Sequence, residues 1–291
     1  MIIDFHTHTF PEKIALRTLD HLAGKSQSRY YTDGTTESLA VSMKKAGIDY
    51  SVNLPVMTAP QQADRVNDSL LRAMPALEEK GILTFGGMHP EYENIRGKLK
   101  ELKEGGVKGI KLHPAYQETD IDDPKMLRII EAASDLDLIV ITHAGLDIGI
   151  PGHNYADTGM LLHVIDTLKP PKFVLAHMGG WDGWDDVEKY IAGAPVWLDT
   201  AFSVGEIDPF REGDRPLRSL NLNEEDFVRL CRKHGTDRIL FATDSPWADQ
   251  SDYVQRFMNM SFSADERSAI LGGNAYKLMN MREEGKTDAC N

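Results

Sequence analysis

The chain has 291 residues, 41% hydrophobic and 26% charged, with 45 acidic against 32 basic side chains and a formal net charge of -13. This is the composition of a folded domain rather than of a long disordered region, and the acidic field disfavours nucleic acid and anionic membranes as partners. The length admits two small domains or one large one, and a (β/α) barrel of about 250 residues fits as a single unit.

The first residues, Met-Ile-Ile-Asp-Phe-His, contain no basic leader or cleavable apolar stretch, and no run approaches the roughly 20 apolar residues of a membrane span. Cys231 and Cys290 offer neither a disulfide framework nor zinc-knuckle spacing. A reducing, cytoplasmic setting is the expectation. Eight brief apolar runs follow along the chain, at 1–5, 51–55, 83–87, 109–112, 138–142, 173–176, 196–199 and 239–242. Helical patterns lie between or after them, including 61–80, 123–135, 158–168, 185–192, 224–234 and 264–281. Asp157, Asn223 and Ser263, the last with Glu266 three residues on, read as helix N-caps. Brief apolar runs alternating with helices indicate buried parallel strands. A doubly wound open sheet would want a Gly-rich loop after its first strand, where this chain has His-Thr-His, so the predicted fold is an α/β closed (β/α)8 TIM barrel. One domain over 1–282 and a polar tail over 283–291 account for the chain, with irregular stretches at 24–35 and 202–222.

Alternation along the first strand predicts that Asp4, His6 and His8 share a face at its C-terminal end. Among ten histidines a His-x-His pair arises by chance roughly 0.3 times, so the pair alone does not establish a metal site. Four more residues stand just past other apolar runs: His113, His143, His177 and Asp244. In a barrel those ends converge on the mouth, where such folds carry their active sites. Imidazoles with one carboxylate suit zinc, manganese or iron(II), and an open position makes such a site catalytic.

Four blocks resemble the amidohydrolase superfamily, in the branch that includes aminocarboxymuconate-semialdehyde decarboxylase. They are Ile3-Asp4-Phe5-His6-Thr7-His8, Thr142-His143-Ala144-Gly145, the run from Lys172 to Gly180 and the run from Arg238 to Pro246. The resemblance implies that His6, His8, His143 and Asp244 hold one divalent ion, with zinc expected, and that His177 and Asp244 are catalytic. It also marks Lys111. Dihydroorotase-like members carbamylate a lysine in a similar run, and a carbamylated Lys111 would bridge to a second ion on His143 and His177. The plain alternative is an ammonium that meets a substrate carboxylate or Asp244.

A divalent ion with Asp244 as proton acceptor suits hydrolysis of a small amide, lactone or ester, and the same apparatus serves non-oxidative decarboxylation of an unsaturated or aromatic carboxylate. Lys111, His113 and Trp247 are candidate substrate contacts. Trp181, Trp184 and His89 are candidates for the mouth with loop packing as the alternative, and Arg211, Arg215 and Arg218 form a charge network or a carboxylate clamp. A TatD-like deoxyribonuclease shares the His-x-His start but uses a glutamate where Lys111 stands; a histidinol-phosphatase-like reading lacks its late Asp-x-His; a barrel with a closed, non-catalytic metal site is the non-enzyme alternative. The expected partner is a small molecule, with a homodimer suggested by the frequency of two-fold assemblies.

Overall fold

The computed structural model describes residues 1–281, so Cys290 and the tail expected at 283–291 lie outside the described residues. Nine short strands form in order: β1 Ile3–Thr7, β2 Tyr50–Asn53, β3 Ile82–Thr84, β4 Gly86–Gly87, β5 Gly109–Leu112, β6 Ile139–Thr142, β7 Phe173–Leu175, β8 Trp197–Asp199 and β9 Ile239–Leu240. All pairings are parallel and between consecutive strands, β1 to β3 in one ladder and β4 to β9 in another. The ladders are halves of one ring. β3 and β4 are a single strand interrupted at Phe85, whose N–H donates to the Asn53 carbonyl at 3.1 Å, a normal hydrogen-bond length. The ring closes where the Phe5 N–H meets the Phe241 carbonyl at 2.9 Å and the Asp244 N–H meets the His6 carbonyl at 2.9 Å. The eight apolar runs therefore form eight staves of a closed barrel, as expected.

Alternation divides each stave between two apolar layers. Ile3, Phe5, Val52, Ile139, Ile141, Val174 and Leu240 fill the interior, while Ile110, Leu112, Val140, Phe173, Leu175, Leu198 and Ile239 pack outward against the helices. Burying both faces explains why the strands read as continuous apolar runs.

Three expectations need correction. β1 is irregular between Asp4 and Thr7, and the extra twist of such a bulge turns the strand end. Asp4 consequently does not join His6 and His8; it accepts hydrogen bonds from the Thr243 N–H at 2.9 Å and Gln250 Nε2 at 2.7 Å. The helix expected over 264–281 is broken into Ala264–Ser268, a wide π-type turn Ala269–Gly273 and Asn274–Leu278. Gly272 sits against the start of β1, where a Cβ would lie 2.7 Å from the Met1 carbonyl oxygen, so the chain there is shaped by close approach. The pattern at 185–192 is likewise a short turn, Trp184–Asp186, continued by a wide turn Val187–Ile191. Asp157, Asn223 and Ser263 cap their helices as read, the last in a capping box. Among the described residues no helix is long and apolar enough to cross a membrane.

Candidate metal centre

The C-terminal ends of the strands open into a cavity of about 990 Å³ lined by His6, His8, Lys111, His113, His143, His177 and Asp244, with Trp181 and Trp247 among its walls. The histidines, Lys111 and Asp244 come from five stave ends, those of β1, β5, β6, β7 and β9, so barrel closure is what assembles them.

Hydrogen bonds fix how the first three side chains face inward. His8 Nδ1 lies 2.7 Å from the Leu54 carbonyl, which can only accept, so Nδ1 carries the proton and Nε2 presents a lone pair. His6 Nδ1 lies 2.8 Å from Asp199 Oδ2, which sets the same tautomer. The two Nε2 atoms are 3.1 Å apart, and Asp244 Oδ1 is 3.2 Å from that of His8 and 3.5 Å from that of His6. Three acceptors thus converge on one point, and Asp244 Oδ1 is buried with no hydrogen-bond partner. Such a cluster is repulsive by itself and is satisfied by a cation; the donor set fits a divalent ion of the borderline class.

His143 has a buried Nε2 that also lacks a partner. Its ring faces His177 at 4.7 Å and stacks on His113 at 4.5 Å, and it forms a second ligand-type group with His113 and Asp147. Gly145 is required just beyond it: φ is +85°, and a Cβ would lie 2.2 Å from the Trp181 nitrogen. His177 directs Nδ1 to the Ala201 carbonyl at 2.9 Å, leaving Nε2 as its free nitrogen. His177 and Asp244 both adopt left-handed backbone, with φ of 57° and 69°. Strain of this kind gathers at functional sites. It is held by the His177 N–H donating to Asp199 Oδ1 at 2.9 Å and the Asp244 N–H donating to the His6 carbonyl.

Burial dominates the electrostatics. It drives His6, His113 and His143 well below the usual imidazole range, with neighbouring cationic groups acting in the same direction, and takes His177 down to about 4 against the opposing pull of Asp244. The rings are neutral at pH 7, the form that ligates metals. Lys111 is only 1% exposed, with Nζ 3.2 Å from His6 Nε2, and burial lowers its ammonium despite Asp199, Asp244 and Asp147.

The remaining candidates divide. His113 reaches the cavity, 3.6 Å from Asp147, whereas His89 accepts from the Glu91 N–H and does not line it. Trp184 packs beneath the site, its indole donating to the His177 carbonyl at 3.0 Å. None of Arg211, Arg215 and Arg218 lines the cavity; Arg218 pairs with Asp182 and lies over Trp184, and Arg211 covers Phe210. Sequence reasoning missed Asp199 and Asp147. Asp199 ends the seventh apolar run just as the site histidines end theirs, so the same criterion would have found it; Asp147 lies in a loop with no such signal.

A parallel barrel with a His-x-His pair, further histidines and an aspartate at its mouth defines the metal-dependent hydrolase type of TIM barrel. The amidohydrolase family model matches residues 3–280, and the chain belongs to that family. No curated protein matches it by sequence. Among solved structures it is similar to an uncharacterised TIM-barrel protein from Bordetella bronchiseptica, at 16% identity, TM-score 0.72 and coverage of 96% of this chain and 98% of that one. It is similar also to a dihydroxybenzoic acid decarboxylase from Polaromonas with bound manganese and 2-nitroresorcinol, at 18% identity, TM-score 0.68 and 96% coverage of both chains. A third is 2,6-dihydroxybenzoate decarboxylase from Rhizobium, at 16% identity, TM-score 0.68 and coverage of 96% and 98%.

Proposed function

We propose that this protein is a metal-dependent non-oxidative decarboxylase acting on a small aromatic or unsaturated carboxylate, with His6, His8, His143 and Asp244 holding one divalent ion, zinc or manganese. The observation that carries the reading is the pairing, in one cavity, of this donor set and the buried Lys111 with an aromatic wall of Trp181, Phe202 and Trp247. When bound, the ion supplies Lewis-acid polarisation of a substrate oxygen. The Lys111 ammonium offers a charge partner for the substrate carboxylate, and the aromatic wall orients a flat ring and excludes water. Loss of carbon dioxide breaks one carbon–carbon bond and leaves its electron pair on the ring or alkene carbon, which must take up a proton. His177 Nε2 and the Asp244 oxygen that does not face the ion are the groups suited to carry it, because the other His177 nitrogen is committed to Ala201. Dihydroxybenzoates, the 2,6-isomer among them, name the similar decarboxylases and support the same substrate class.

Hydrolysis of a small amide, lactone or ester is the second reading. It is favoured by the same two acceptors, which would take a proton from attacking water. Assaying carbon dioxide release from a panel of hydroxybenzoates and unsaturated acids, beside hydrolysis of amides and lactones, separates the two. Release that stops on chelation and returns with zinc or manganese is expected; hydrolysis without release would overturn the decarboxylase.

A further inference from the structure

We propose that the substrate carries an aliphatic chain, seated in a groove that continues the cavity from the histidines down one face of the helix Gln62–Glu78. This deepens the decarboxylase reading and rests on it for the reacting head group. The groove is part of the same cavity of about 990 Å³, at the top of the roughly 300–1,000 Å³ range of small-molecule sites. Its wall on that helix includes Arg65 and Ser69 and, spaced four, four, three and four residues apart on a single face, Gln62, Val66, Leu70, Ala73 and Leu77. Fifteen residues separate the ends, about 22 Å at 1.5 Å per residue. A round single-ring acid at the metal centre would leave that length empty, whereas an extended chain fills it.

The groove exists because neighbouring helices fail to meet. Gln62–Glu78 packs on β3, β4 and the helix Ile95–Glu104, and Thr36–Ala46 packs on Gln250–Asn259, but the two barely touch each other. Between them the apolar side chains Val66, Leu70 and Ala73 stay partly exposed, and Leu22 and the 41%-exposed Ile14 face the same space from the helix Ala15–Ser26 and its entrance. Partly exposed apolar groups lining a concavity are stabilised by an apolar occupant. Continuity with the histidines favours the substrate's own chain over a second copy of the protein. Gln62, at the mouth end, is tied through its side-chain oxygen to the Thr58 and Ala59 N–H groups, so the entrance is held in shape.

The test is calorimetric titration of the protein, purified with its metal, with straight-chain carboxylates from butanoate to dodecanoate. The dissociation constant is expected to fall about fourfold per added methylene, as buried methylenes do. Ser69→Trp, at an exposed groove position, is expected to leave butanoate binding unchanged and abolish the gain from longer chains; Ala73→Trp does the same deeper in the groove. Light scattering and the unfolding midpoint accompany each variant. Affinity independent of chain length, length dependence that survives both substitutions, or a dimer that either substitution dissociates would overturn the chain-binding groove. Length-dependent binding, with no carbon dioxide released from the aromatic and unsaturated acids of the panel, supports the groove while refuting decarboxylation; release from short aromatic acids without length dependence does the reverse.

Discussion

Asp199 holds the His6 imidazole and the His177 backbone at once, accepting from His6 Nδ1 with one oxygen and from the His177 and Ala201 backbone N–H groups with the other. Burial raises this carboxyl while the Lys111 ammonium opposes the rise. Asp199→Asn is expected to weaken metal affinity about 10- to 100-fold, since an amide has one oxygen and cannot accept both from His6 Nδ1 and from the His177 and Ala201 N–H groups; competitive chelator titration measures it. His177→Ala should leave affinity intact while lowering turnover about a hundredfold or more, read from kcat on an accepted substrate. The site histidines and Asp244 were legible because each follows an apolar run directly. Asp4 was misplaced because an irregularity of the strand, which no residue type announces, overrode the two-residue period between Asp4 and Thr7.

The helix Glu224–His234 shows how an element's end is tied to the barrel. Its terminal His234 is buried, with Nε2 2.9 Å from the Val196 carbonyl and Nδ1 accepting from the Gly193 N–H at 3.3 Å. Burial takes this imidazole down to about 4, the Val196 carbonyl opposing the shift and Arg238 adding to it. The folded state therefore binds fewer protons than the unfolded chain below the unfolded pKa near 6.5, and stability falls as pH drops from about 6.5 to 4, by about 3 kcal/mol. His234→Gln can keep both hydrogen bonds without titrating, so its acid unfolding curve should be flatter over that window. The loop after β6 is constrained by Gly145: Gly145→Ala should cost about 2 kcal/mol or more, read from the denaturant midpoint, because both φ and the Trp181 backbone exclude a methyl group. Caps were readable as local chemistry, whereas the wide turns at Val187–Ile191 and Ala269–Gly273 arise from tertiary fit and left no periodic signal.

The barrel as a whole was legible because its staves are buried on both faces and leave eight apolar runs, and because closure requires the run ends to converge. The split of the third stave at Phe85 and the groove beside Gln62–Glu78 depend on how neighbours pack, which the runs do not encode. At this scale we propose that His6, His8 and Asp244, joined by His143, hold one ion while His177 remains free for chemistry. Plasma mass spectrometry of the purified wild type, His6→Ala and His177→Ala tests it most directly. About one ion per chain in the wild type and in His177→Ala, with loss in His6→Ala, is the predicted result. Two ions in the wild type falling to one in His177→Ala would contradict it and would make His177 a ligand beside a carbamylated Lys111.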